Sequence, residues 1–310
     1  MADAQGGKYV LAVDLGTGGP KVALVSVDGT VVAHTYATNE LLLIEGGGAE
    51  QDPEEWWTTI TDGMRELVQA GHVPADEIVA IGVSTQWMGT VAVDENGNHL
   101  MNALIWLDAR GAPHADRVAG GGIEVPGTGY NALRLKKWLQ LTGGMPSRTG
   151  KDPVGHILWI KHECPEIYAR TAVFLEPMDY LNLRLTGQAA ATYDTVTGYW
   201  CTDNRDLAAV RYDEALIEMS GLERSKLPDL RPTGSVLGPI TADVAELLGL
   251  PPSVQVVMGT GDTASAGIGS GAVRDFEAHL YVGTSSWLSC HVPFKRTDIM
   301  NNITDRKSVV

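Results

Sequence analysis

The sequence predicts a mixed α/β protein of two lobes, and three observations carry that expectation. Its 310 residues exceed one ordinary domain. Its first elements read strand, strand, strand, helix, strand, which departs from the strict alternation of a doubly wound parallel sheet. An acidic, glycine-rich turn at a strand end, Asp14-Leu15-Gly16-Thr17-Gly18-Gly19, has counterparts far along the chain. These are Gly259-Thr260-Gly261-Asp262 and Gly283-Thr284-Ser285-Ser286. Two lobes that each present such turns imply a duplicated fold with a cleft between.

The elements follow in order. Tyr9 to Val13 is a continuous apolar run, Lys21 to Val27 a second strand, and the Asp28-Gly29 pair a tight turn into a third, Val31 to Thr38. Asp52-Pro53 opens a helix as an N-cap followed by proline at the first helical position. Trp56, Ile60, Met64 and Leu67 continue it at helical spacing, and Gly71 ends it. Ile78 to Ser84 and Gly89 to Val93 read as strands, with a turn at Asp94 to Gly97. Residues 120–155, rich in Gly, Pro and Thr, read as an insertion that builds a pocket wall. Helices are expected at Gly155 to Glu163, Met178 to Leu185, Asp213 to Met219 and Ala242 to Leu248, the last three stopped by Gly187, Gly221 and Gly249. Pro251-Pro252-Ser253 then introduces a strand, Val254 to Met258, and a domain boundary is expected there: 1–252 the first lobe, 253–304 the start of the second.

Composition limits the function. An apolar fraction of 44% suits a globular core. The formal net charge of −15 argues against nucleic-acid or anionic-membrane partners, which require a basic surface. It does not exclude a nucleotide, because a phosphate site is made locally from backbone N–H groups, a lysine and a metal ion. Cys164, Cys201 and Cys290 are odd in number and far apart, as expected of reduced cysteines in a cytoplasmic protein. No apolar run reaches the ~18 residues of a membrane span.

The chemistry-bearing pattern starts at Asp14-x-Gly16-Thr17-Gly18-x-x-Lys21. Small residues let backbone N–H groups face a phosphate, a Thr hydroxyl can donate, and the Asp can hold hydrated Mg²⁺. A plain glycine-rich hairpin with a capping Asp fits the same residues equally well. The turns at 259–262 and 283–285 are each weak alone; together the three are specific.

These motifs resemble the FGGY-type carbohydrate kinases, within the superfamily of sugar kinases, actin and heat-shock ATPases. The first phosphate motif of that family is D-x-G-T-[ST]-x-x-K, with Gly18 here where Ser or Thr is usual. The resemblance continues through Gln51-Asp52-Pro53-Glu54-Glu55-Trp56-Trp57, a run shared with xylulokinases. It extends to Gly82 to Gly89, Ala103 to Arg110, Asp179 to Gly187 and Ala191 to Gly198. It implies a ribonuclease H-like (actin-like ATPase) fold whose second lobe is cut short here. It implies ATP and Mg²⁺ in the cleft, with Asp14, Gly16, Thr17, Gly18, Lys21, Gly261, Asp262, Gly283 and Thr284 at the nucleotide, and Asp14 holding Mg²⁺ through water. The sugar falls to Gln86, Trp87, Met88, Asp108 and Asp194. Glycerol kinases carry Arg-Glu and xylulokinases Met-His at the Trp87-Met88 positions, so those two residues are either an apolar sugar wall or core. Asp108 is read as a pocket residue and Arg110 as structural; Asp179 is read as a helix cap. The resemblance implies Asp194 as the catalytic base, accepting a hydroxyl proton as phosphoryl transfer proceeds.

The expected reaction is phosphorylation of a terminal hydroxyl of a ketose such as D-xylulose. The alternatives are another polyol or sugar acid (gluconate, ribulose, erythritol) or a non-catalytic sugar-binding homologue. The partners implied are sugar and ATP, with a homodimer as a compatible assembly. The family is longer than this chain, so the chain alone is expected to be inactive, and Asp305 to Val310 read as an artificial tail.

Overall fold

The computed structural model describes residues 7–282 and 286–293. A six-stranded sheet organises it, in the order Val236–Pro239, Gln255–Val257, Ile78–Thr85, Tyr9–Gly16, Gly19–Ser26, Val31–Tyr36. The last three form the expected antiparallel meander, joined at the Thr17-Gly18 turn and again at Asp28-Gly29. Tyr9–Gly16, Ile78–Thr85 and Gln255–Val257 are mutually parallel. Their C-terminal ends therefore open on one edge, the place where α/β sheets bind ligands.

Alternation builds the core. Leu11, Val13 and Leu15 of the first strand, and Val22 and Leu24 of the second, are buried against the helix Pro53–Gln69. Asp52 caps that helix by accepting from the Glu54 N–H at 2.8 Å, with Pro53 in the first turn. Trp56, Ile60, Met64 and Leu67 all lie on its buried face. Each of these side chains contributes about 1.5–3 kcal/mol by leaving water. The helices Pro177–Thr186, Glu214–Ser220 and Ala242–Leu248 end where expected, at Gly187, Gly221 and Gly249 in left-handed conformation.

Two expectations change. The stretch 120–155 contains a real helix, Ala132–Leu141, capped by Asn131 accepting from the Leu133 and Arg134 N–H groups. The strand Gln255–Val257 is not the start of a separate lobe. It hydrogen-bonds to Ile78–Thr85 in the same sheet, and Val254, Val256 and Met258 are buried. The boundary expected between 252 and 253 thus divides one sheet. Beyond the helix Asp262–Gly269, the hairpin Ala278–Val282 with Ser286–Cys290 pairs only with itself among the described residues. It leaves Leu280, Val282 and Leu288 exposed. Gly283 and Thr284, and the tail 305–310, lie outside the described residues.

Candidate active site

The first strand places Asp14 directly across the ladder from Lys21. Their side chains form an ion pair of 3.1 Å with 46% and 60% exposure respectively, so it contributes little stability and leaves both charges accessible. Gly19 makes the turn possible. Its φ of +136° and a Cβ that would stand 2.0 Å from the Ala37 carbonyl oxygen admit no side chain. Gly18 differs: the nearest atom to an added Cβ is the Tyr36 hydroxyl at 3.9 Å, so its lack of a hydroxyl is not dictated by space.

Thr17 is the centre of a hydrogen-bonded ring. Trp106 Nε1 donates to Thr17 Oγ1 at 2.9 Å, and that hydroxyl donates to Gln86 Oε1 at 3.1 Å. Gln86 Nε2 donates to Gln51 Oε1 at 2.7 Å, and Gln51 Nε2 donates to the Thr17 carbonyl at 2.8 Å. The expected Thr17 donor to phosphate is therefore spent inward, since a hydroxyl has one proton. Gln86, expected to offer its amide to a sugar, is 2% exposed with that amide tied to Gln51 and Thr17.

The second glycine turn meets the same edge. Gly261 bridges to Thr85, and a Cβ on Gly261 would stand 3.3 Å from the Trp87 Cβ. Gly259 lies so close to Ile78–Thr85 that a Cβ would stand 1.9 Å from the Val83 carbonyl oxygen. Asp262 is exposed at the start of the helix Asp262–Gly269, which Gly261 N-caps. Trp87 and Met88 are half-buried at the strand end, and Met88 adopts a left-handed φ of +68° unusual for its side chain.

Asp194 enters this edge from the short turn Thr195–Tyr199 and is fully buried. Its Oδ2 accepts from the Gly261 N–H at 2.9 Å and from the Thr260 hydroxyl. The candidate base is thus held through Oδ2 by the turn at 260–261. Asp179 is not the helix cap. The capping position is Glu176, and Asp179 sits in the first turn of Pro177–Thr186 with no exposure. Burial pushes its carboxyl well above the usual range; the Thr195 hydroxyl is the largest opposing pull, and the charge of Asp194 adds to the rise. Thr260, Gln51 and Asp179 lie beside the candidate site, and sequence reasoning assigned none of them a site role. The Gly-Thr-Gly-Asp motif could have signalled Thr260, and the Gln51 to Trp57 run could have signalled Gln51.

Asp108 is a correction. It is fully buried and accepts from the Ala49 N–H at 2.9 Å and from Arg110 Nε at 2.9 Å and Nη2 at 2.6 Å. Arg110 Nη2 also donates to Glu50 Oε1 at 2.6 Å. The carboxylate is consumed in tying Gly48–Gln51 to the chain after Ala103–Leu104. His156 supports the same region, with its ring nitrogens 3.1 Å from Thr90 Oγ1 and 3.2 Å from the Asp108 carbonyl oxygen.

Burial pushes the His156 pKa down to about 4. A depressed histidine is neutral in the fold yet protonated in the unfolded chain below about pH 6.5. Its contribution to stability is therefore present above that pH and is lost as pH falls towards 4. Melting of wild type and His156→Gln across pH 4–7 is expected to show this: the wild type's advantage shrinks on acidification and vanishes near pH 4.

Among the described residues no three His, Cys, Asp or Glu side chains cluster as a metal cage. The exposed Asp14 carboxylate fits Mg²⁺ held through water and substrate phosphates, the usual arrangement for that ion.

The comparisons agree with this architecture. A family model for the FGGY family of carbohydrate kinases, N-terminal domain, matches residues 9–269. The xylulose kinase of Bacillus subtilis is 29% identical over 296 residues, covering 96% of this chain and 56% of that protein. That of Streptomyces rubiginosus is 32% identical over 282 residues, covering 90% and 53%. The chain spans about half the length of the curated relatives it matches. Among solved structures, a gluconate kinase from Lactobacillus acidophilus superposes with TM-score 0.77 at 23% identity, over 91% of this chain and 54% of that one. Plasmodium falciparum glycerol kinase with ADP gives TM-score 0.77 at 22%, over 91% and 54%. These structures share the actin-like ATPase fold with this chain, a fold whose parallel strand ends already gather the Asp14 hairpin, Gln86, Asp194 and the Gly259 turn. The chain belongs to the FGGY family of carbohydrate kinases, and residues 9–269 are its N-terminal domain.

Proposed function

We propose that this chain is the sugar-binding part of an ATP-dependent kinase that phosphorylates a terminal hydroxyl of a ketose such as D-xylulose. The supporting observation is the contact between Asp194 and the Thr260-Gly261 turn at the same strand ends as Gln86 and Trp87. A carboxylate beside a glycine turn sets a proton acceptor next to backbone N–H groups suited to a phosphate. Trp87 and Met88 supply an apolar wall for a sugar's C–H face, and Gln86 orients that wall from behind. Asp194 accepts the hydroxyl proton as the oxygen bonds to the γ-phosphorus and the bond from that phosphorus to the ADP oxygen breaks, and Lys21 beside Asp14 lowers the cost of phosphate charge. Mg²⁺, where bound, would neutralise further phosphate charge from the Asp14 side.

Substrate choice tests this reading. The chain joined after Gly269 to the C-terminal half of the Streptomyces rubiginosus xylulose kinase is assayed for ADP release with D-xylulose, gluconate, ribulose, erythritol and glycerol. The kcat/KM for D-xylulose is expected to exceed that for glycerol by at least ~10-fold, because Trp87 and Met88 offer glycerol's hydroxyls no charged partners. Equal or better turnover of glycerol refutes the ketose assignment. Sugar binding by calorimetry without any ADP release favours the sugar-binding homologue instead.

A further inference from the structure

The ring around Thr17 has a fixed direction. An indole N–H only donates and a carbonyl only accepts, so both ends of the relay are irreversible. Trp106 must donate to the Thr17 oxygen, and the Thr17 carbonyl must receive the Gln51 amide N–H. Between those ends each amide has one consistent orientation: Gln51 turns its oxygen to Gln86, and Gln86 turns its oxygen to the Thr17 hydroxyl. The relay thus begins at the Thr17 side chain and returns to the Thr17 main chain. Gln51 is wholly buried and is the member that closes it. Its position follows from the fold: it ends the strand Gly48–Gln51 and directly precedes the Asp52 cap, so both sides of it are anchored.

We propose that Gln51 is a positioning residue that ties the conformation of the Thr17-Gly18 turn to events at the Gln86-Trp87 wall. It acts through Gln86 and the Thr17 carbonyl rather than by touching either substrate. With Gln51 in place, a ligand that displaces the Gln86 amide must also disturb the main chain of the phosphate-side turn. Without it, Gln86 loses the partner that fixes its amide direction, and the Thr17 carbonyl is released. The inference rests on the functional reading above, in that the ligand at the wall is a sugar.

The test uses the full chain labelled with nitrogen-15 and titrated with D-xylulose. In wild type, the Gln51 side-chain amide, the Trp106 indole N–H and the Gly18 main-chain amide are expected to shift together with one dissociation constant. In Gln51→Met, which keeps the length and removes both bonds, D-xylulose is expected still to bind within ~5-fold of wild type. The Gly18 response to the sugar is expected to fall by more than half. A Gly18 amide that responds to sugar equally in Gln51→Met and wild type overturns the inference and leaves the kinase reading standing. A wild-type Gly18 response without any change at the Gln51 amide overturns it as well, and needs no variant to fold. Failure of D-xylulose to bind wild type overturns the functional reading, and the inference falls with it.

Discussion

Asp194→Asn, assayed in the chimera with the Streptomyces rubiginosus C-terminal half, is expected to lower D-xylulose-dependent ADP formation by ~10²-fold or more. That is the usual scale for loss of a general base. Asparagine has nearly the same shape, and its carbonyl oxygen can still accept from the Gly261 N–H and the Thr260 hydroxyl that Asp194 now receives. The fold and the sugar Kd should therefore change little, and the loss should appear in kcat rather than KM. Calorimetry for D-xylulose on the same protein separates the two. Turnover within a few-fold of wild type would remove Asp194 from its role and direct attention to Asp179, a buried acid whose carboxyl feels the Asp194 charge.

Gly259→Ala should strongly destabilise the fold. The added methyl would overlap the Val83 carbonyl oxygen and lie 3.0 Å from the Val83 carbonyl carbon, both main-chain atoms of a central strand. Neither can swing aside as a flexible side chain would. Either the strand Ile78–Thr85 or the turn after Gln255–Val257 must shift, at a cost of roughly 3 kcal/mol or more. For a domain of this size that corresponds to a melting temperature lower by about 6–12 °C. Thermal unfolding followed by circular dichroism measures it, and a melting point unchanged within 2 °C, roughly the shift expected of a mild surface substitution, would contradict the packing described. Gly18→Ser is the useful contrast, since an added Cβ there meets only the Tyr36 hydroxyl at 3.9 Å.

The parts of the fold that could be read from the sequence were those written locally. Asp52-Pro53 and the spacing of Trp56, Ile60, Met64 and Leu67 identify a helix without reference to anything distant, and Gly187, Gly221 and Gly249 stop theirs by backbone conformation alone. What failed was set by contacts distant in sequence. Gln255–Val257 follows a Pro-Pro-Ser turn that reads as a linker, but its hydrogen-bond partner is a strand 175 residues earlier. Asn131 with Leu135 and Trp138 is a helix pattern hidden by the glycines and prolines around it. The site divides the same way. Asp194 and Gly261 are recognisable in their own segments, and the structure brings them into contact. The fates of Asp108 and Thr17 depend on Ala49, Glu50, Gln51 and Gln86, which no local window contains. A carboxylate or hydroxyl of the right type can be found in a sequence, but whether its hydrogen-bonding capacity is already spent cannot.

Trp87 has a consequence for how this family can diversify. The indole of the proposed wall stands against Gly261, with Cγ and Cδ1 3.4 and 3.5 Å from where a Gly261 Cβ would sit, and the Gly261 N–H holds Asp194. A substitution that reshapes the wall for a different sugar therefore also alters the seat of the turn that holds the base. Changes of diet at this position should be epistatic: neutral or harmful alone, and beneficial only alongside compensating changes near 259–262. Laboratory evolution towards a new sugar would then find its first accessible steps elsewhere on the wall, and reach residue 87 late or in pairs.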